Sequence, residues 1–65
     1  MLEIGQIFSH NNCGRIQLIA MDDKSCYFAN KNKEQFMWPK IIVEKHFKLS
    51  RNQVPLFKKL IKNNG

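Results

Sequence analysis

The clearest pattern of apolar and polar positions lies at residues 15–21. Apolar Ile16, Leu18 and Ala20 occupy every second position there, with polar Gln17 between the first two. A period of two predicts a half-buried β-strand. The turn-formers Asn-Asn-Cys-Gly precede the stretch and Asp-Asp-Lys-Ser follows it. Because a short strand between two turns must pair with the chain on both sides, the pattern predicts an antiparallel sheet.

Similar patterns predict three further strands, at residues 2–10, 25–30 and 35–38, separated by polar turns. Gly5 inside the first strand indicates a bend or bulge. Pro39 ends the fourth strand, because proline has no N–H to donate to a ladder.

The next ten residues, 40–49, fit two interpretations. The β-branched run Ile41-Ile42-Val43 favours a strand, whereas the spacing from Val43 to Phe47 fits one turn of helix. We prefer a short turn of helix followed by a closing strand.

The chain from Ser50 onward predicts an amphipathic C-terminal helix. Ser50 and Gln53 match the S-x-x-Q capping box, but Asn52 as the cap keeps Pro55 within the first turn. The apolar face then consists of Leu56, Phe57, Leu60 and Ile61, and the basic face of Lys58, Lys59 and Lys62. Because a helix this short is marginal alone, it must dock on the strands or on a partner, and docking on the strands is favoured.

Four or five short antiparallel strands at close spacing predict a mainly β protein. We expect one domain over residues 1–65: a small SH3-like antiparallel barrel at 1–49 and the short basic helix with its tail at 50–65. A barrel removes its own strand edges, which suits a chain too short for a sandwich.

Several of these segments form a spaced pattern, namely Ile-Gly-Gln-Ile-Phe at 4–8, a turn ending in Gly14, 16–19, Cys-Tyr-Phe at 26–28, and Val-Glu-Lys-His-Phe at 43–47. The pattern resembles small SH3-like barrel proteins of prophages and other mobile elements, over about residues 4–49. Phe8-Ser9-His10 and Trp38-Pro39 are also similar to an uncharacterised bacterial domain. The resemblance implies a barrel fold and a phage or mobile-element origin, and it implies no reaction.

The net charge of +6 on 65 residues favours an anionic partner, which means nucleic acid, an acidic protein surface or an anionic membrane surface. The alternative is a basic protein that is merely soluble. The short chain has no glycine-rich phosphate loop and no nucleophile motif, so we expect a non-enzyme without a cofactor. We expect a cytoplasmic protein without membrane association, because no signal peptide is recognisable and no apolar run approaches the ~20 residues of a membrane span.

The candidate binding residues are lysines and arginine that concentrate in the C-terminal third and in one turn, together with two aromatic residues on which bases can stack. They are Lys31, Lys33, Lys45, Lys48, Arg51, Lys58, Lys59, Lys62, Tyr27 and Trp38. The alternatives are a solvated lysine face and, for Tyr27 and Trp38, packing in the core, which is the favoured interpretation for Trp38.

Zinc ligands of the right types are present in His10, Cys13, Cys26 and His46. Only His10 and Cys13 have usable spacing, so we expect no metal site. The favoured interpretation is a turn cysteine, a buried cysteine acting as a small hydrophobe, and two surface histidines.

Two functions from different classes follow. The first is a regulatory module that binds DNA or RNA through its backbone phosphates. The alternative is a protein-interaction module of phage or mobile-element type, which docks on an acidic surface of a host or defence protein and inhibits or adapts it. A monomer or weak homodimer is expected in either case.

Overall fold

The computed structural model describes residues 2–56. These residues form one five-stranded antiparallel sheet with the strand order β4-β3-β2-β1-β5, and one short helix. The elements in chain order are β1 (Ile7–His10), β2 (Gly14–Met21), β3 (Ser25–Asn30), β4 (Gln35–Pro39), α1 (Lys40–His46) and β5 (Lys48–Leu49). The protein is therefore mainly β, as the sequence predicts. Within the described part of the chain, no helix is long and apolar enough to cross a membrane.

The turn residues set the strand limits closely. The second, third and fourth strands agree with their predicted limits to within one residue, and the interpretation of residues 40–49 as a helix and then a closing strand is confirmed. The closing strand β5 returns to β1, where Phe8 lies opposite Leu49 and Ser9 lies opposite Lys48.

The first strand is shorter than predicted, because β1 begins at Ile7 and not near residue 2. Gly5 produces the predicted bend: its φ is +100°, a conformation that side chains with a Cβ rarely adopt. The chain before β1 still follows β2, since the Gly5 N–H donates to the Leu18 carbonyl at 2.7 Å and the Leu18 N–H donates to the Gln6 carbonyl at 2.9 Å.

The core lies on one face of the sheet, under α1. Val43 of α1 is buried against strand residues that point to the same face, and Phe8 and Phe28 meet edge to face with ring centroids 5.6 Å apart. The buried cluster consists of Phe8, Ile16, Leu18, Cys26, Phe28 and Val43.

The alternation along β2 does not continue to the end of the strand. A bulge between Leu18 and Ala20 shifts the register, so that Ala20 is exposed and Met21 packs against the core. The expectation that Ala20 shares the core face with Ile16 and Leu18 is wrong. The extra residue of a bulge moves the following side chains to the other face.

On the second face of the sheet, the part formed by β1 and β2 is covered as well. Ile7 is 0% exposed and Gln17 is 3% exposed, although both point away from the core cluster. Residues 50–56, which we call the C-terminal strap, cover them. Gln17 binds the strap directly, because its Oε1 accepts the Leu56 N–H at 3.0 Å, while its Nε2 donates to the Gly5 carbonyl at 3.0 Å.

Two further side chains hold the strap. The Gln53 amide pairs with the backbone of Ile7: its Oε1 accepts the Ile7 N–H at 2.8 Å, and its Nε2 donates to the Ile7 carbonyl at 2.8 Å. Arg15 Nη2 donates to the carbonyls of Asn52 at 3.2 Å and Val54 at 3.0 Å. The strap is therefore bonded to the sheet through polar groups.

The helix predicted from Ser50 or Asn52 does not start in the strap, where the backbone is non-helical. Gln53 does not complete a capping box, because its amide is bound to Ile7 and to the Ser50 carbonyl at 2.6 Å. The Ser50 N–H instead donates to the Ile7 carbonyl at 2.8 Å. The rest of the predicted helix, residues 57–65, lies outside the described residues, as does Met1.

Candidate nucleic-acid interface

The topology brings basic residues from four separate elements to one end of the sheet. Successive antiparallel strands reverse direction, so the β1–β2 turn and the β3–β4 turn lie at the same end. The helix α1 starts at the other end, where the Lys40 N–H donates to the Lys24 carbonyl at 2.8 Å. It finishes where Lys48 lies opposite Ser9. The residues gathered there, which we call the basic end, are His10, Lys31, Lys33, Lys45, His46 and Lys48.

Charge is unevenly distributed between the two ends. The four lysines of the basic end have two carboxylates near them in the chain, Glu34 and Glu44, and Glu34 accepts a hydrogen bond from Asn30 Nδ2 at 2.8 Å. At the opposite end, Asp22 and Asp23 of the β2–β3 turn are balanced by the same number of lysines, Lys24 and Lys40. Of the two ends, only the basic end therefore carries an excess of positive charge.

The carboxylate of Asp22 is held in its charged form. Its Oδ1 accepts the N–H groups of Lys24 at 3.0 Å and Ser25 at 2.8 Å, and Tyr27 donates its hydroxyl to Oδ2 at 3.2 Å. The backbone hydrogen bond from Lys24, followed by that from Ser25, lowers the pKa of Asp22. Hydrogen bonding to the same carboxylate raises the pKa of Tyr27.

Tyr27 is consequently separated from the lysines of the basic end. It is half-buried on the face opposite the core, next to Met37, and its hydroxyl is bonded to an anionic group. A phosphate backbone close to Tyr27 would be repelled by Asp22.

Trp38 is half-buried and packs against the core, in line with the alternative interpretation of this residue. The rings of His10 and Phe36 stack on it at centroid distances of 4.9 Å and 5.7 Å, and Phe47 meets it edge-on at 4.9 Å. These contacts leave little of the indole for a base to stack on.

His10 is fixed in orientation at the end of β1. Its Nδ1 accepts the backbone N–H groups of Asn12 at 3.1 Å and Cys13 at 3.3 Å. These two donors assign the hydrogen of the neutral imidazole to Nε2. Ring contacts with Trp38 and, at 5.2 Å, with Phe47 hold the imidazole plane.

A concave pocket of about 390 Å³ lies beside His10. It is formed where the β1–β2 turn meets the junction of α1 and β5. Its polar lining consists of Ser9, His10, Asn11, Asn12, His46 and Lys48, and Phe47 supplies apolar surface. We call it the turn pocket.

The structure places the candidate residues that the sequence predicted in different regions. Lys31, Lys33, Lys45 and Lys48 are exposed and share the basic end, whereas exposed Arg51 belongs to the strap. The candidates Lys58, Lys59 and Lys62 lie outside the described residues. Sequence reasoning did not assign a binding role to His10, Asn11, Asn12 or His46, because nothing local connects the β1–β2 turn with the end of α1.

The possible zinc ligands are not brought together. In residues 2–56, no three His, Cys, Asp or Glu side chains are arranged to hold a metal ion. Cys26 is fully buried, and burial raises the pKa of its thiol, which therefore stays protonated and packs as a small apolar group. Cys13 is half-buried against the core, and both cysteines are free thiols.

Comparisons with protein-family models, with curated proteins and with solved structures each give no match to this chain.

Proposed function

We propose that this protein is a small non-catalytic module that binds the phosphate backbone of DNA or RNA through its basic end, in a regulatory role. The observation that carries the proposal is the convergence of Lys31 and Lys33 from a turn, Lys45 from α1 and Lys48 from β5 on one end of the sheet. A helix, a strand and a turn that are distant in sequence thus carry lysines to the same end of the sheet.

The chemistry of this surface is that of backbone contact. Exposed lysines are mobile point charges with three donors and no fixed planar geometry, so they bind phosphates without reading base edges. Binding releases condensed counterions, and four phosphate contacts on duplex DNA give a slope of about −3 to −4 for the logarithm of affinity against the logarithm of salt concentration. We therefore expect binding that depends weakly on sequence and strongly on salt.

The sheet also supports the finer fold proposal, an SH3-like barrel. The last strand β5 pairs with the first strand β1 after a short helix. In addition, His10 of β1 stacks on Trp38 of β4, so side chains of non-adjacent strands meet across the core face. These contacts support a barrel, while the proposed origin in a prophage or other mobile element rests on the sequence resemblance alone.

The test is a fluorescence-anisotropy titration of short single-stranded and duplex DNA and RNA at several salt concentrations. The variant Lys31→Gln/Lys33→Gln should weaken binding at least about tenfold and flatten the salt dependence by about two units of slope. The control Lys24→Gln/Lys40→Gln removes the same charge from the opposite end and should bind nearly as the wild type does. Equal losses in both variants, or no binding of the wild type at low salt, would overturn the proposal.

A second candidate function, binding of a protein partner, is supported by a different surface. A groove of about 540 Å³ lies between the N-terminal segment, α1 and β5, and its apolar lining includes Phe8, Val43 and Leu49. Leu49 is 55% exposed, and Ile41 of α1 is 58% exposed. Such exposed apolar side chains suit a docking surface for an inhibitor or adaptor. Capture of a partner that is lost in Leu49→Glu and kept in Lys31→Gln/Lys33→Gln would support this function.

A further inference from the structure

We propose that the turn pocket is a binding site for a phosphate group, at which the nucleic-acid ligand is anchored. This inference rests on the proposed function and deepens it, because it assigns one phosphate to a preformed concave site. The remaining lysines of the basic end then contact phosphates on an open surface.

The lining of the pocket has the chemistry of an anion site. Lys48 supplies a charged ammonium group, His46 a second imidazole, and Asn11 and Asn12 supply amide N–H donors. No aspartate or glutamate of residues 2–56 lines the pocket. The described lining therefore offers N–H donors and one positive charge and contains no carboxylate, which suits an oxyanion.

The assigned tautomer of His10 strengthens this preference. Because Nδ1 already accepts two backbone N–H groups, the other ring nitrogen carries the hydrogen and can act only as a donor. A phosphate oxygen accepts from such a group, whereas a metal ion requires a nitrogen with a free lone pair. His10 therefore matches an anionic ligand and not a metal.

The backbone frame of the site and the ring of His10 are held in place before any ligand binds. Lys48 lies directly opposite Ser9 in the β1–β5 ladder, which sets the distance between the two sides of the pocket. His10 is held by its bonds to the turn and by the rings of Trp38 and Phe47. Fixing His10 and the backbone in advance reduces the conformational entropy that is lost on binding.

The size of the pocket indicates which part of a ligand it accepts. A volume of about 390 Å³ is at the lower end of the range for small-molecule sites, about 300–1,000 Å³. The pocket therefore has room for a phosphate with an attached sugar. A terminal phosphate monoester and a backbone diester share this chemistry, and the experiment must distinguish them.

The experiment is an NMR titration of the ¹⁵N-labelled full chain with three probes: inorganic phosphate, a 5′-phosphorylated thymidine trinucleotide, and the same trinucleotide without the phosphate. We expect saturable shifts of the backbone signals of Asn11, Asn12 and Lys48 with the phosphorylated trinucleotide. Stronger binding of the phosphorylated form identifies the monoester as the ligand, and equal binding of both trinucleotides identifies the backbone diester. No saturable shift of these signals with either trinucleotide, or shifts outside the pocket only, would overturn the proposal.

The pocket variant is His46→Gln/Lys48→Gln, and the control is Lys24→Gln, which removes one lysine from the opposite end of the sheet. The pocket variant should bind the trinucleotide at least about tenfold more weakly, because it loses the ammonium group of Lys48 and the imidazole of His46, while Lys24→Gln should lose about threefold or less. Nearly equal affinities of the two variants would overturn the pocket proposal. If both variants still bind longer DNA or RNA with a steep salt dependence, the proposed function stands without the pocket, and if no oligonucleotide binds the wild type, both fall.

Discussion

The side chain of Gln53 takes the place of a strand partner for Ile7, and replacing it tests how the C-terminal strap is held. The ladder between β1 and β5 pairs only Phe8 and Ser9 with β5. Beyond it, the Gln53 amide accepts the Ile7 N–H and donates to the Ile7 carbonyl, both at 2.8 Å. The substitution Gln53→Met keeps the length of the side chain and removes both of these hydrogen bonds, together with the one that Nε2 donates to the Ser50 carbonyl.

The expected loss of stability follows from the hydrogen bonds that the substitution leaves in place. The Ile7 carbonyl still accepts a hydrogen bond from the Ser50 N–H at 2.8 Å. The Ile7 N–H, however, loses its side-chain acceptor, the Gln53 Oε1, and Ile7 is 0% exposed. An unsatisfied buried donor costs about 1–3 kcal/mol. A core of this size contributes about 3–5 kcal/mol in total, so we expect the variant to lose about half of its stability.

The assay is thermal and urea unfolding followed by circular dichroism. A loss of about 2 kcal/mol lowers the Tm of a domain of this size by about 8–16 °C. The matched control is Gln35→Met, which makes the same change at an exposed position of β4. If the Tm of Gln53→Met lies within about 2 °C of the control, the reasoning about the strap is refuted.

Two further predictions concern the turns. Lys33 has a φ of +68°, so Lys33→Gly should raise the free energy of unfolding by up to about 1 kcal/mol while it weakens nucleic-acid binding. Urea unfolding measures the first effect and the anisotropy titration the second. Lower stability together with weaker binding would contradict this account. The pKa of Asp22 is lowered on folding, so its contribution is present above the unfolded-state pKa and is lost as pH falls through the lowered folded-state pKa. Asp22→Asn should therefore be less stable than the wild type at pH 7 and differ less from it at pH 2, and a Tm difference that does not change over this range would contradict the assigned hydrogen bonds.

The candidate site was predictable only in part. The charge of the chain indicates lysines as candidate binding residues, and the structure places four of them at one end of the sheet. The turn pocket depends instead on residues of the β1–β2 turn and on His46, which lies more than thirty positions further along the chain. Local spacing carries no signal for such a site, because the pairing of β5 with β1 creates it.

The elements whose limits depend on neighbouring residues could be predicted from the chain alone. Asn, Asp and Gly fix the turns on either side of β2, and Pro39 stands at the end of β4, where α1 begins. Backbone preferences act over a few residues, so these limits can be predicted without knowledge of the partners.

Only the tertiary structure decided what each face of the sheet meets. Gln17 looks solvent-facing in the alternating pattern, yet it is buried because its amide joins Gly5 to Leu56. Residues 50–56 carry capping signals for a helix, yet Gln53 bonds to Ile7, forty-six positions earlier in the chain. The physical reason is the same in both cases: a side-chain amide can replace a backbone partner that is distant in sequence, and local periodicity does not record such a contact.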